Sequence, residues 1–301
     1  MSASRVIGVD LGGTKISSGL VERDGTVSAR RERVTPAASQ EVLLAALAGE
    51  VEALLDAGPA ALGIAIPSRF DRHTGLAVGS VNVPLADVDV AGLLRSRFGL
   101  PVGVENDANA AALAEWRLGA GRGSTDLVML TLGTGVGGGL VIGGRLYRGW
   151  AELGHMVVVA GGPPCFGNCS GHGHLEAVAS GQAVDRLAGT ELGGGATAQD
   201  LIDAARAGDG RAVELLAGVG RLLGAGIGSL VNIFDPDVVV LGGGFGTSAG
   251  ELVLATARDA ARAEALAPAA ERVRIVGAEL GAGAGLIGAG LVGFEALDGE
   301  R

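Results

Sequence analysis

"VDLGGTKISSGLVERDG" (Val9–Gly25) and "LTLGTGVGGGLVIGG" (Leu130–Gly144) carry one pattern twice. Each reads as a strand, a Leu-Gly step, a turn of small residues, a Gly-Leu step and a second strand. The spacing from Leu-Gly to Gly-Leu differs by one residue between them. The match is short and partly glycine-driven, but each copy leads into helical stretches alternating with strands. After the first copy, Ser39 to Asp56 has apolar residues at helical spacing, with Ser39 placed to cap it. The buried strand "ALGIAIP", the short strand "PVGVEND" and the helix "ANAAALAEWRLGAG", stopped by glycines, follow. After the second copy come a long helix from Arg211 to Phe234, the strand "DVVVLGGG", another helix, the strand "RVRIVGA" and a last helix. Two hairpin-led α/β halves with no linker between them predict a duplicated domain pair.

The composition suits that reading and removes others. At 301 residues the chain can bury one large or two medium cores. Glycine accounts for 55 residues, far above ordinary usage, but it clusters in short runs between apolar segments and so reads as tight turns and phosphate loops. The net charge of −10 and the absence of a basic stripe argue against nucleic acid. An acidic protein that binds nucleotide must find positive potential in backbone N–H groups, helix N-termini, a few Lys/Arg and Mg²⁺. The N-terminus has no secretory signal pattern, and the sequence reads as free of an apolar run of about 20 residues, so no membrane partner is expected. Two cysteines do not make a disulfide framework. The chain reads as soluble and cytoplasmic.

Four places carry candidate chemistry. Asp10-Leu11-Gly12-Gly13-Thr14-Lys15 sits at a strand end. Its glycines admit phosphate oxygens to backbone N–H groups, Thr14 offers a hydroxyl, and Asp10 can hold Mg²⁺ or its water. It lacks the Walker A spacing, and an ordinary hairpin turn would also explain it. Gly133-Thr134-Gly135 repeats the chemistry a domain's length away, which favours phosphate binding with a nucleotide in the cleft between the halves. Gly242-Gly243-Gly244 follows "VVVL" and would let a nucleotide lie against the backbone, or simply make a tight strand-to-helix turn. Glu105-Asn106-Asp107 has more polar character than an N-cap needs, and Asp107 could accept a hydroxyl proton.

The stretch "GHMVVVAGGPPCFGNCSGHGHLEAVAS" (Gly154–Ser180) holds both cysteines, Cys165 and Cys169, and three of the four histidines, His155, His172 and His174. Two Cys four apart, a His five further on and another upstream suffice for a tetrahedral zinc site. Glu152 and Glu176 flank the cluster and could meet vicinal hydroxyls, although a solvated surface carboxylate is the plainer reading of either. His73 reads as a turn residue.

Taken in order, "DLGGTK", "ENDANAAALAE", "TLGTGVGGGL", "ELGHM", the Cys/His loop running into "LEAVASG", and "LVNIFDPDVVVLGGG" resemble the bacterial ROK (repressor, open reading frame, kinase) family of sugar kinases, and within it the glucokinases. The resemblance spans essentially the whole chain. It implies an α/β, actin/hexokinase-like (ribonuclease H-like) duplicated fold with nucleotide and sugar in the interdomain cleft. The first domain would be 1–115, completed by the last helix (284–301), and the second 116–283 with the zinc loop. The family activity would be transfer of the γ-phosphoryl of Mg-ATP to the 6-hydroxyl of glucose. Kinase activity on N-acetylmannosamine, N-acetylglucosamine or another hexose is the alternative within the family. A non-catalytic sugar sensor or regulator is the alternative from another class. Regulators of the family carry a helix-turn-helix segment, and here the first strand starts at about residue 5 with no room for one.

Carried over residue by residue, Asp107 would be the catalytic base. Asn82, Asn106, Asp107, Glu152, His155 and Glu176 would contact the sugar. Asp10, Gly12, Gly13, Thr14, Lys15, Gly133, Thr134, Gly135 and Gly243 would hold ATP and its Mg²⁺. His155, Cys165, Cys169 and His174 would bind a structural Zn²⁺, with His174 preferred to His172 because it stands where the family has its last cysteine. A homodimer or homotetramer is expected. The sequence departs from the family pattern in three places. His174 replaces a cysteine, Pro67-Ser68 replaces Pro-Gly, and "VNVPLADVDV" lacks the usual tryptophan. The last two fall on the sugar side.

Overall fold

The computed structural model describes residues 5–71, 73–80 and 83–299. The chain divides into two compact units. The first holds 1–118, 148–150 and 283–301, and the second 119–147 and 151–282.

In the first unit, β1 (Val6–Leu11), β2 (Lys15–Val21), β3 (Val27–Val34) and β4 (Leu62–Ile66) are joined by β7 (Val102–Asn106) in one sheet, ordered β3-β2-β1-β4-β7. A small hairpin of β5 (Arg69–Phe70) and β6 (Ala77–Gly79) lies apart from it. The helices of this unit are α1 (Gln40–Glu52), α2 (Val90–Phe98), α3 (Asp107–Leu118) and the chain's last helix, α11 (Ala284–Asp298). Ser39 caps α1 as its sequence predicts, its hydroxyl accepting from the Val42 amide at 3.2 Å.

Strand periodicity assigns the two faces of this sheet. Ile7, Val9 and Leu11 share a core with Leu43 and Leu47 of α1 and Leu94 of α2. The alternate face is nearly bare. Gly8, Gly63 and Gly103 stand in register across β1, β4 and β7, and α11 lies against them. A Cβ on Gly8 would come 2.8 Å from the Leu286 carbonyl oxygen, and one on Gly63 would overlap that of Ala289. Some of the glycines therefore serve close helix–sheet contact, besides the turns that composition suggested.

The second unit repeats the topology. Its sheet runs β10-β9-β8-β11-β12, built from β8 (Leu127–Leu132), β9 (Val136–Ile142), β10 (Arg145–Leu146), β11 (Val238–Gly242) and β12 (Arg274–Gly277). In both sheets the first three strands are antiparallel hairpins and the last two add in parallel. The closing pairs are Leu11↔Ile16 and Leu132↔Val136. The first turn thus spans one residue more than the second, which is the one-residue difference in the sequence repeat.

The helices of this unit are α4 (Leu175–Ala179), α5 (Gly181–Glu191), α6 (Ala198–Arg206), α7 (Gly210–Phe234), α8 (Gly243–Ala249), α9 (Glu251–Glu264) and α10 (Ala269–Arg272). One sequence reading is corrected here. α7 is long and apolar enough, by length and composition, to cross a membrane. In this fold it is the central helix of the core, with Leu216, Leu223 and Ile227 fully buried. Gly220 and Gly224 let α9 approach it closely, since Cβ atoms there would come 2.6 Å from the carbonyl oxygens of Val253 and Ala257.

Candidate active site and metal centre

The first glycine turn closes β1 onto β2. The Gly12 amide donates to the Lys15 carbonyl at 2.9 Å, and the Thr35 hydroxyl donates to the Gly12 carbonyl at 2.7 Å. The amides of Gly13 and Thr14 donate to nothing among the described residues, and both residues are exposed. Two successive unbonded amides at a strand end could donate to an anion. Lys15 is exposed and paired with Glu32 at 2.9 Å. Asp10 is the penultimate residue of β1, its carboxylate packed against Gly285 in the first turn of α11. Burial, then the charge of Asp107, push the Asp10 carboxyl up to about 6, against the opposing pull of Lys15 and Arg30.

Asn106 ends β7 and Asp107 opens α3. The Asn106 carboxamide oxygen accepts from the amides of Ala108 (2.9 Å) and Asn109 (3.1 Å), so Asn106 supplies the cap, and Asp107 accepts from the Ala108 amide at 2.8 Å. The Asn106 amide group donates to the Ser68 carbonyl at 3.3 Å. Ser68, one of the departures from the family pattern, is buried, and its hydroxyl donates to the Gly79 carbonyl at 2.9 Å, bracing the β5–β6 hairpin.

Sequence reasoning missed the role of Glu105. It is buried, accepts from Asn109 Nδ2 at 3.0 Å, and pairs with Arg148 Nε at 3.0 Å. Arg148 also donates to Glu295 at 2.5 Å. Arg148–Trp150 thus belongs to the first unit although both flanks belong to the second. Trp150 Nε1 holds the Phe70 carbonyl at 3.0 Å. No local pattern signals this strap, because its partners lie far away in sequence.

The second turn repeats the first. The Gly133 amide donates to the Gly135 carbonyl at 2.9 Å, and the amides of Thr134 and Gly135 are unbonded among the described residues. The Gly133 carbonyl accepts from the Gly181 amide at 2.7 Å, and the Thr134 carbonyl from Gln182 at 3.3 Å. Glu176 Oε2 accepts from the Val136 amide at 2.9 Å. Gly243, a candidate nucleotide contact, also has a conformational and packing reason to be glycine. It has φ +82°, and a Cβ there would lie 2.5 Å from the Leu132 carbonyl oxygen.

His155, Cys165, Cys169 and His174 bring one ligand atom each within 4.8 Å of one another. Nδ1 of His155 and Nδ1 of His174 are 3.2 Å apart, Cys169 Sγ is 3.5 Å from His174 Nδ1, and Cys165 Sγ is 3.9 Å from His155 Nδ1. Zinc bonds of about 2.0–2.1 Å to nitrogen and about 2.3 Å to sulfur give tetrahedral edges of about 3.4 Å and about 3.6 Å, and these three separations are compatible with a zinc ion. His172 is exposed and lies outside the group. Burial, with Cys169 and Glu176 adding to it, pushes the Cys165 thiol up to about 11, and a divalent cation is the charge that would hold it as thiolate.

Among the remaining expected residues, Glu152 is exposed immediately before the turn Leu153–His155, and Asn82 lies outside the described residues. The structure thus brings Asp10, the first turn, Asn106 and Asp107 into one unit, and the second turn, Glu176, Glu152, His155 and the Cys/His group into the other.

Comparisons with known proteins agree over nearly the full length. Residues 6–293 match the model of the ROK family. The glucokinase of Thermotoga maritima is 36% identical over 99% of this chain and 100% of its own. A ROK family glucokinase from Streptomyces griseus, solved in complex with glucose and AMPPNP, superposes with a TM-score of 0.83 at 34% identity, covering 97% of this chain and 100% of that one. The ROK hexokinase of Thermus thermophilus gives 0.85 at 38%, covering 98% and 99%. The fold is therefore actin/hexokinase-like, and with sequence, topology and solved relatives in agreement, this chain belongs to the ROK family.

Proposed function

We propose that this chain is an ATP-dependent hexose kinase, a glucokinase that phosphorylates the 6-hydroxyl of glucose. The observation that carries the reading is the recurrence of one glycine turn with two unbonded amides at the same place in two topologically identical sheets, Gly12–Lys15 and Gly133–Gly135. Each turn offers two adjacent amides to phosphate oxygens. Mg²⁺ bound with ATP would neutralise phosphate charge, and Asp10, at a strand end beside the first turn, is the carboxylate to hold it or its water. Asp107 orients the sugar hydroxyl and takes its proton as the phosphoryl group arrives. Asn106, its side chain fixed by the cap, Glu152, His155 and Glu176 bind sugar hydroxyls, as does Asn82 by family likeness. Catalysis on this reading is mostly positioning and charge neutralisation.

His155, Cys165, Cys169 and His174 would hold a structural zinc. Four protein ligands leave no open position, so its role is to order the loop. The chain would work in the cytoplasm as a homodimer or homotetramer, which light scattering on the purified protein tests. The deciding assay for the function is ADP production with Mg-ATP across glucose, mannose, N-acetylmannosamine and N-acetylglucosamine. Glucose should give the highest kcat/KM, and no sugar-dependent ADP release would favour a sugar sensor. Elemental analysis of reduced protein should find about one zinc per chain. His174→Ala should lose it and His172→Ala should keep it, and the reverse result would reassign the fourth ligand.

A further inference from the structure

We infer that Glu176 is a positioning residue that ties the second glycine turn to the Cys/His loop, so that the state of the loop is felt in nucleotide binding. The inference rests on reading Gly133–Gly135 as a phosphate turn and the Cys/His group as a metal site, and adds a coupling between them.

The two oxygens of Glu176 face opposite ways. Oε2 accepts from the Val136 amide at 2.9 Å, at the exit of the turn. Oε1 faces Cys165 Sγ at 3.7 Å. The carboxylate is packed so closely over the turn that a Cβ on Gly135 would overlap Oε2. That gives Gly135 a reason to be glycine independent of any ligand.

Glu176 is also placed by the loop itself. His174 is the residue before α4, and Glu176 lies in the first turn of that helix. Ser180 then ends α4 and caps α5, its hydroxyl accepting from the Ala183 amide at 3.1 Å. The amides of Gly181 and Gln182 hold the Gly133 and Thr134 carbonyls. Among the described residues, the three outside hydrogen bonds on the turn therefore come from Glu176, Gly181 and Gln182, all close behind His174 in the chain. The turn is thus held by Glu176 from α4 and by Gly181 and Gln182 from the start of α5, and α4 begins directly after His174 of the Cys/His group.

With the Val136 amide taken by Glu176 and the Gly133 amide by Gly135, the turn presents the Thr134 and Gly135 amides to a phosphate. Holding the carbonyls from behind keeps those two amides pointing outward before ligand arrives, which reduces the ordering cost of binding.

The test measures Mg-AMPPNP binding by calorimetry without sugar, so that neither catalysis nor a sugar contact of Glu176 enters, together with hydrogen exchange at the Val136 amide. A hydrogen bond to a charged acceptor is of a strength that leads us to expect Glu176→Ala to raise the AMPPNP Kd about 3- to 10-fold and to speed Val136 exchange by at least about tenfold. Glu176→Gln keeps an accepting oxygen without the charge, so Val136 should stay protected. This variant separates the hydrogen bond from electrostatic repulsion of the phosphates. Stripping metal from the unaltered protein should raise the AMPPNP Kd and Val136 exchange in the same direction as Glu176→Ala, and should add little in the Glu176→Ala protein. The inference is overturned if metal removal weakens sugar binding alone, leaving AMPPNP affinity and Val136 exchange within about twofold. It is equally overturned if Glu176→Ala matches the parent in both. Unaltered protein that binds no AMPPNP at all, or holds no metal, would overturn the underlying reading, and the Val136 exchange of Glu176→Ala would still show whether the carboxylate ties the turn.

Discussion

Replacing Asp10 by asparagine should make the protein more stable and inactive. Its carboxyl is raised from 3.8 to about 6 in the folded chain, first by burial and then by the charge of Asp107. Between about pH 4 and about pH 6 the folded protein keeps a proton that the unfolded chain has released. Stability contributed by this group is therefore present at low pH and is lost as pH rises through about 6. A shift of that size corresponds to about 3 kcal/mol of destabilisation at pH 8, with the opposing pull of Lys15 and Arg30 already contained in it. The carboxamide of the variant has no charge to desolvate. Asp10→Asn should therefore gain up to about 3 kcal/mol at pH 8 and almost nothing at pH 4. Both tryptophans, Trp116 and Trp150, lie in the first unit with Asp10, so urea unfolding followed by tryptophan fluorescence reports on that unit. The parent should gain stability from Mg-AMPPNP, whose metal compensates the carboxylate, and Asp10→Asn should gain less. A variant no more stable than the parent at pH 8, or a gain unchanged between pH 4 and pH 8, would refute the argument.

Asp107→Asn should lower kcat on the order of 10²–10⁴-fold while the sugar KM stays within a few-fold, and turnover close to the parent would place the base elsewhere. Arg148→Met removes the counter-charge that the buried Glu105 receives from Arg148 and breaks the Arg148 pair with the mostly buried Glu295. Because Arg148 itself is partly exposed, the loss should be about 2–3 kcal/mol in urea unfolding, partly recovered by adding Glu105→Gln, and an unchanged midpoint would remove the strap from the account of stability. Two glycine-to-alanine changes should act with opposite sign in thermal melts. Gly63→Ala forces a methyl into the Ala289 carbonyl and should cost about 3 kcal/mol, whereas Gly49→Ala, inside α1 with no atom within 4 Å of the new Cβ, should gain about 0.5–1 kcal/mol.

Much of this molecule is legible in short windows of sequence, because the signals are local. A hairpin needs two runs of β-forming residues and a turn, and both copies show them, down to the one-residue difference that the ladders place in the turn. A capped helix needs a serine and an apolar period, and Ser39 supplies the first. Cysteines and histidines four and five residues apart can meet within one loop, and the structure gathers them within 4.8 Å. Family likeness supplied what windows could not, above all the candidate roles of Asn106 and Glu152.

The rest was decided by contacts between residues far apart in the chain. Composition alone presents the glycines of 8, 63 and 103 as turn formers; only strand register lines them up under α11. Gly210–Phe234 is largely apolar despite Arg211, Glu214 and Arg221, and its packing on α9 makes it a core helix. Arg148 finds Glu105 and Glu295 across separations of 43 and 147 residues. The Glu176 carboxylate meets the Val136 amide 40 residues away. Propensity, turn chemistry and spacing act between near neighbours and so determined the elements, the two turns and the candidate metal ligands from sequence. Helix–sheet approach, buried ion pairs and the backing of the second turn depend on which faces the tertiary fold brings together, and tertiary structure alone decided those.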